Sequence, residues 1–320
     1  MLHILLVTFP FFALVLAGYV AARRRMLPLE AIPGLNGFVL FFALPCMLYR
    51  FGSTTPIAQL LDGWVAGLYL LCGLIVVAIT IAFTRNARIR WNDASLGALV
   101  AAFPNSGFMG VPLIVALLGA SAAGTVILTM VVDMVITSSL CIALSRLDEA
   151  QGQGRSAASE ATRKALKGVL TNPMPWAIVL GGVASAWAFT LPKPVEQTVW
   201  LLADSASPVA LFTIGAVLAR AQMTANHPMP LGDYLPVALM KLFVHPLLVL
   251  AVGWLAIRVG APLSASALTV MVLVAALPSA SNVSLLAERF GADNGRIARI
   301  ILVTTAAAFL TFSGAVALLT

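Results

Sequence analysis

The segment from Phe103 to Pro112 reads FPNSGFMGVP and interrupts an otherwise apolar stretch of the chain. It contains two prolines, two glycines and a turn-forming Asn-Ser pair. Proline removes a backbone donor and clashes with the preceding turn, and glycine permits unusual backbone angles, so a straight helix is not expected here. In hydrocarbon the backbone groups released by such a break need new partners. We therefore expect this segment to be buried by protein or to line a polar cavity.

The composition around this segment is that of an integral membrane protein. Of 320 residues, 61% are hydrophobic and 10% are charged, which leaves too little polar surface for a soluble globule. A hydrocarbon core of about 30 Å requires roughly 20 apolar residues per helix, and runs of that length recur throughout the sequence. The net charge of +7 comes from short basic clusters between apolar runs. Because no basic face is interleaved with aromatics, nucleic-acid binding is not indicated.

Ten apolar runs, separated by charged or turn-forming breaks, predict ten membrane-spanning helices. They begin near residues 2, 33, 61, 94, 121, 173, 195, 234, 264 and 293. If the amino terminus faces the exterior, 15 of the 19 Lys and Arg residues fall in cytoplasmic loops or helix ends, and only Arg50, Lys193 and Arg258 lie outside. This positive-inside bias predicts a multi-pass protein of the plasma (inner) membrane with both termini outside, in the periplasm.

The two halves of the sequence carry matching signals. The motif VAAFP at 100–104, in the fourth span, returns as VAALP at 274–278, in the ninth. Pro45 in the second span and Pro208 in the seventh are each followed seven residues later by glycine. These matches at equivalent places indicate an internal repeat, and the ninth span is expected to be broken like the fourth.

Counting the spans divides the chain into three parts. Residues 1–145 form a first five-helix repeat, 146–171 form a polar cytoplasmic linker, and 172–320 form a second five-helix repeat. Because five is an odd number, the second repeat must enter the membrane in the opposite orientation to the first. The fold class predicted is all-α, with ten transmembrane helices in a five-plus-five inverted repeat.

The two breaks together predict a polar substrate pocket. After its proline the ninth span offers several hydroxyl and amide side chains, as the fourth span does. The candidate substrate-binding residues are Pro104, Asn105, Ser106, Gly107, Pro278, Ser279, Ser281 and Asn282. Each break is followed by a half helix whose exposed amide end carries partial positive charge, which favours an anion. The alternative is a pair of kinked helices whose Ser and Asn side chains only join neighbouring spans.

Four ionisable residues lie within predicted spans, where a charge is costly and is a functional candidate by default. Asp133, near the middle of the fifth span, is the candidate for a proton-coupling or cation-coupling group. Lys241 and His245, one turn apart in the eighth span, could attract a carboxylate or hold Asp133 in an ion pair. For His245 the alternative is a structural, hydrogen-bonded residue beside Pro246. Asp204, in the seventh span, is expected nearer an interface.

The sequence also bears on cofactors and energy. Cys46, Cys72 and Cys141 fall in apolar runs without ligand spacing, so we expect packing residues, with no metal site or disulfide framework. A phosphate-binding glycine loop is absent from the sequence, so energy would come from an ion gradient, of protons or Na⁺, or from the substrate's own gradient. Motifs of metalloproteases and serine hydrolases are absent as well, and an enzyme is not expected.

At these residues the chain resembles the auxin efflux carrier family, which includes plant auxin exporters and bacterial carriers of malonate and other organic acids. The resemblance covers nearly the whole chain, and its most specific part is the first break. The stretches that carry it are FFALP at 41–45, PNSGFMGVP at 104–112, and residues 208–215, 241–246 and 278–282.

The resemblance implies that spans four and nine cross at the substrate site and that an asparagine beside each proline faces the substrate. Asn105 directly follows Pro104, whereas Asn282 lies four residues beyond Pro278. It further implies a scaffold of spans 1, 2, 6 and 7, a transport domain of spans 3–5 and 8–10, an elevator movement and a homodimer.

The function expected from this resemblance is secondary active transport of a small organic anion, a carboxylate such as malonate or an auxin-like acid. The runner-up is an anion channel or facilitator. A third reading is a membrane sensor that binds the same substrate without moving it. Saturable flux with counterflow distinguishes the first from the second, and binding without flux distinguishes the third.

Overall fold

The computed structural model describes residues 2–56, 61–146, 173–223 and 229–320. Within these ranges the secondary structure is helical and contains no strand. A single antiparallel bridge joins Pro104 and Ser279. The linker predicted at 146–171 lies outside the described residues, except for Arg146 at its start.

The described part of the first half contains eight α-helices. They are α1 Leu2–Arg23, α2 Ile32–Phe38, α3 Leu44–Thr54, α4 Gly63–Thr84, α5 Trp91–Ala102, α6 Val111–Leu118, α7 Ala123–Val132 and α8 Ser138–Ser145. Wider π-helical turns link several of them: Val39–Ala43 joins α2 to α3, Ser106–Gly110 leads into α6, and Asp133–Thr137 joins α7 to α8. Short 3-10 turns at Leu29–Ala31 and Ala120–Ala122 precede α2 and α7.

The second half contains seven described α-helices. They are α9 Pro173–Ala186, α10 Lys193–Met223, α11 Leu235–Leu239, α12 His245–Arg258, α13 Ala265–Ala276, α14 Val283–Arg289 and α15 Asn294–Leu319. The π-helical turn Met240–Val244 joins α11 to α12, and a 3-10 turn at Leu231–Asp233 precedes α11.

Seven helical stretches of the described chain are long and apolar enough to cross a membrane. They are Ile4–Arg23, Leu29–Thr54, Gly63–Thr84, Ala120–Ser145, Lys193–Met223, Leu235–Arg258 and Asn294–Leu319. Three shorter apolar helices are Ser106–Leu118, Pro173–Ala186 and Ala265–Ala276. Ser106–Leu118 begins just after Pro104, and Ala265–Ala276 ends just before Pro278, because proline interrupts a continuous α-helix at each position. A multi-pass membrane protein follows from these lengths, whereas the count of ten spans stays a prediction.

The chain divides into two compact units, of which the first contains Met1–Asp62, Ser106–Leu128 and Asn172–Thr224. In this unit α1 packs along α10, and α3 packs along α9. Glycine permits both approaches: a Cβ on Gly215 would collide with the Val15 carbonyl oxygen, and one on Gly181 would lie 2.6 Å from the Tyr49 carbonyl oxygen. The charged side chains described in this unit are all at least partly exposed.

The second unit contains Gly63–Asn105, Thr129–Thr171 and Ala225–Thr320. In it α4 packs against α5 and α12, α5 packs against α8, and α13 packs against α12 and α15. Residues 94–105 and 270–280 are buried without interruption, so both proline breaks are enclosed by protein. The assignment of scaffold and transport-domain roles to particular helices stays a prediction.

Candidate functional site

The two proline breaks lie side by side in the second unit as a short antiparallel pair. The Asn105 amide donates to the Pro278 carbonyl oxygen at 2.8 Å, and the Ala280 amide donates to the Phe103 carbonyl oxygen at 3.0 Å. The segments that follow α5 and α13 therefore satisfy each other's backbone groups. This is the exchange that buried, irregular backbone requires away from water.

The break at Pro104 is also capped by a side chain of the other break. In a continuous helix the Val100 carbonyl would accept from the amide of residue 104, but proline has no N–H. The Ser279 Oγ donates to the Val100 oxygen at 2.9 Å instead, and the Ser279 amide donates to Thr304 Oγ1 at 3.3 Å. Because Ser279 is only 1% exposed, it serves as a fixed donor between the two broken segments.

The remaining candidate substrate residues follow Pro104 and Pro278 along the chain. Asn105 is 5% exposed, and Ser281 and Asn282 are half-buried in the turn after the second proline. The Oδ1 atom of Asn282 has no hydrogen-bond partner among the described residues. Ser106 and Gly107 belong to the first unit, where they begin the π-helical turn that leads into α6.

The ionisable candidates of the fifth and eighth spans lie in the interior of the second unit. Asp133, Lys241 and His245 are each 0% exposed. The Tyr69 hydroxyl donates to Asp133 Oδ2, and the Thr137 Oγ1 donates to Asp133 Oδ1, each at 3.2 Å. The carboxyl group is therefore held by one hydroxyl from α4 and one from its own π-helical turn.

Lys241 is bound to the end of α13. Its Nζ donates to the Ala275 carbonyl oxygen at 2.7 Å and lies 3.3 Å from His245 Nδ1. That carbonyl is in the last turn of a helix, where acceptors lack amide partners and a cation is electrostatically favoured. Lys241 and Asp133 do not form a direct ion pair within the described structure. Tyr69 connects the two clusters of contacts indirectly: its hydroxyl binds Asp133, and its ring centroid is 5.9 Å from that of His245, the neighbour of Lys241.

Sequence reasoning missed two residues that the structure makes prominent. Arg296, treated as part of a cytoplasmic helix end, is 2% exposed. Its Nε donates to the Asp233 carbonyl oxygen at 2.6 Å and its Nη1 to the Asp93 carbonyl oxygen at 2.8 Å, which ties the start of α15 to the starts of α5 and α11. Tyr69 is the other. The available signals were an arginine at the edge of the last apolar span and a lone tyrosine within the third.

Asp204, the fourth ionisable candidate, lies in the first unit and pairs with Arg50 at 2.6 Å. The two side chains are 66% and 24% exposed, and the Arg50 guanidinium lies 6.0 Å from the Trp200 ring centroid. This is a surface ion pair with an aromatic neighbour, and it differs in exposure from the buried charges of the second unit.

The described residues offer no group of three or more His, Cys, Asp and Glu side chains that could hold a metal ion. The three cysteines are free thiols, with Cys72 and Cys141 buried and Cys46 partly exposed. The chemistry of the second unit is therefore that of hydroxyls, amides, backbone groups and a small number of buried charges.

Comparison with known proteins gives a consistent family. The membrane transport protein family matches residues 3–316. The "Putative malonate transporter" of Rhizobium meliloti (strain 1021) is 29% identical over 308 residues, which cover 95% of this chain and 92% of that protein. The "Uncharacterized transporter YfdV" of Escherichia coli (strain K12) is 25% identical, over 88% of this chain and 86% of that protein. "Auxin efflux carrier component 8" of Arabidopsis thaliana is 22% identical, over 68% and 72%.

Because the family match spans nearly the whole sequence, the chain belongs to the membrane transport protein family, the family of the auxin efflux carriers. It is a multi-pass membrane transporter and not an enzyme. The family resemblance drawn from the sequence motifs is thereby confirmed.

Proposed function

We propose that this chain is a secondary active transporter of a small organic anion, with its substrate site at the paired breaks that follow α5 and α13. The observation that carries the proposal is the buried antiparallel pairing of Pro104 with Ser279. Irregular backbone at membrane depth is tolerated where protein buries it or where it lines a wet cavity, and in many carriers broken helices form the substrate site.

A carboxylate is the substrate class that this region favours. Asn105, Ser279, Ser281 and Asn282 offer amide and hydroxyl groups near the two breaks, and such groups orient a carboxylate by hydrogen bonding. Lys241 adds a positive charge at the last turn of α13. One relative carries the name of a malonate transporter, so malonate is the first probe we would use.

An elevator movement in a homodimer is the mechanism that the family resemblance favours. In this proposal spans four and nine are broken crossing helices of a five-plus-five inverted repeat. Two glycine contacts support such a repeat. A Cβ on Gly52 of α3 would lie 3.2 Å from Gly181 of α9, and a Cβ on Gly215 of α10 would meet α1. These two contacts are equivalent if spans one and two correspond to spans six and seven.

The proposed location is the inner membrane with both termini outside, which the positive-inside bias supports. The driving ion would be a proton at Asp133 or Na⁺ held by the freed carbonyls and hydroxyls of the two breaks. Counterflow distinguishes a carrier from an open anion pore, because only a carrier exchanges substrate by alternating exposure.

The experiment measures uptake and counterflow of radiolabelled malonate and related carboxylates in liposomes, under an imposed pH or Na⁺ gradient. Asn105→Ala is compared with Asn36→Ala, which removes an amide from α2 in the first unit. A hydrogen bond to a charged group contributes about 1.5–3 kcal/mol, so Asn105→Ala should lower kcat/KM roughly 10- to 150-fold. The control should retain saturable flux.

Equal flux in both variants would remove the proposed site. Flux without saturation or counterflow would favour a channel or facilitator, and carboxylate binding without any flux would favour a sensor.

A further inference from the structure

We propose that Lys241 is a shared counter-charge: it balances the Asp133 carboxylate in the substrate-free carrier, and it balances the substrate anion once Asp133 has taken up a proton. This inference rests on the proposed function and specifies its energy coupling as symport of one proton with each anion. It is carried by the contacts of Lys241. Its Nζ binds the Ala275 carbonyl oxygen just before the second break, and it neighbours His245, whose ring packs near the Tyr69 that binds Asp133.

The side chains of Asp133, Lys241 and His245 form a cluster that is shielded from bulk solvent. Asp133, Lys241 and His245 are 0% exposed, and a buried charge without an opposite charge nearby is strongly destabilising. When Lys241 is protonated, its ammonium group has only donors, so His245 Nδ1, 3.3 Å from Lys241 Nζ, is assigned as the acceptor of a neutral imidazole. An ionised Asp133 and a protonated Lys241 therefore leave the cluster with no net charge.

Lys241 also binds the helix that ends at the second break. Its Nζ binds the Ala275 carbonyl oxygen at 2.7 Å, three residues before Pro278, a chain distance of at most about 11 Å. Of the three ammonium donors, the Ala275 carbonyl and His245 engage two within the described residues. At about 10 Å and the effective dielectric of a protein, a unit positive charge strengthens the binding of an anion more than about tenfold.

Protonation of Asp133 then controls this attraction. When Asp133 is ionised, its negative charge offsets Lys241 and repels an anion at the break. When Asp133 is protonated, the cluster carries one net positive charge, and an anion restores neutrality. The affinity for the anion is therefore greater at lower pH and is lost as pH rises through the titration of Asp133. By reciprocal linkage, binding of the anion draws a proton onto the protein.

The other ionisable groups on elements packed around the cluster do not supply this response. They are Tyr69 and Cys72 on α4, Asp93 on α5, Cys141 on α8, Arg258 on α12, and Arg296 and Arg299 on α15. Phenols and thiols ordinarily stay neutral below alkaline pH, and arginine stays charged. Asp93, Arg258 and Arg296 lie in terminal turns of their helices, and Arg299 lies in the second turn of α15. Helix α13 carries no ionisable residue.

The test is the equilibrium binding of radiolabelled malonate to purified protein over a range from mildly acidic to mildly alkaline pH. Wild type should bind more tightly by up to about tenfold per pH unit on acidification, as expected for uptake of one proton. Asp133→Asn should bind tightly at every pH. The double variant Asp133→Asn with Lys241→Met keeps the cluster neutral, so it should fold, and it should bind at least about tenfold more weakly than Asp133→Asn. Asp204→Asn, in the first unit, should behave as wild type.

Wild-type pH dependence in Asp133→Asn, or equal affinity in the single and double variants, would overturn the inference. Saturable malonate counterflow whose affinity does not change with pH would also overturn it, while leaving the carrier proposal intact. Absence of saturable binding and flux for every carboxylate probe would overturn both.

Discussion

The two units of the described chain differ in the contacts that stabilise each of them internally. In the first unit helices approach one another through glycines, and the charged side chains described there reach the surface. In the second unit Asp133, Lys241, His245 and Arg296 are at most 2% exposed. Small residues allow helices to pack closely in lipid, where apolar burial alone gives little association, whereas buried charges persist mainly where function needs them. The difference favours a packing role for the first unit and a functional role for the second, and both roles stay predictions.

Removing one buried charge should have the largest effect. Lys241→Met removes a buried positive charge and its hydrogen bond to the Ala275 carbonyl oxygen. It should lower the free energy of unfolding by up to about 3–5 kcal/mol, the full loss applying while Asp133 stays ionised. Thermal unfolding of purified protein in detergent, followed by monodispersity on gel filtration, measures the loss. Adding Asp133→Asn should restore most of the stability because the pair is then neutral. Wild-type stability of Lys241→Met alone would mean that the two charges do not compensate each other.

Adding a Cβ at a glycine contact in the first unit should cause the second-largest loss of stability. In Gly215→Ala the new Cβ meets the Val15 carbonyl oxygen of α1, which is backbone and cannot turn aside. Overpacking of this kind costs about 1–3 kcal/mol. Gly37→Ala in α2 is the matched control, because a Cβ there meets nothing within 4 Å, and the variant should be neutral or slightly stabilised by its helix propensity. Equal melting temperatures for the two variants would contradict close packing of α1 and α10.

Removing the donor that links the two breaks should have a smaller effect on stability. Ser279→Ala deprives the Val100 carbonyl of its hydrogen bond, a loss of about 1 kcal/mol. Ser281→Ala, in the half-buried part of the same turn, should change stability by less than about 0.5 kcal/mol. If Ser281→Ala proves the more damaging variant in thermal unfolding, the proposed capping of the Pro104 break is wrong.

The smallest effect is expected at the exposed ion pair of the first unit. Asp204→Asn removes the partner of Arg50, but with side chains 66% and 24% exposed the pair should contribute less than about 1 kcal/mol. High salt should reduce that contribution further in the wild type. A loss comparable to that of Lys241→Met would remove the distinction drawn between the two units.

The ends of α5 and α13 were predictable because their causes are local, whereas their role as broken crossing helices stays a prediction. Pro104 and Pro278 each delete an amide donor, and the sequence alone indicates where a helix must end. The ionisable residues Asp133, Lys241 and His245 stood out for a similar reason, since each interrupts an apolar run. In the structure all three are buried, and their functional roles stay predictions.

The partners were not predictable, because they come from distant parts of the chain. Ser279 donates to Val100, 179 residues away, and Lys241 to Ala275, 34 residues away, and periodicity does not encode which carbonyl a side chain will reach. The π-helical turns at Asp133–Thr137 and Met240–Val244 also lack a local signal. Each alters the helical register that would otherwise set which face its charged residue occupies.

A substrate site at the paired breaks can be tested directly by asking whether a carboxylate occupies the turn after Pro278. Ser281→Cys, in a background with Cys46, Cys72 and Cys141 replaced by alanine, would be labelled with a maleimide in the presence and absence of malonate. Gly37→Cys in α2 serves as the control. Malonate should slow labelling at position 281 in a saturable manner and leave labelling at position 37 unchanged. Equal labelling rates at position 281 with and without malonate, in protein that catalyses saturable malonate uptake, would contradict a substrate site at the paired breaks.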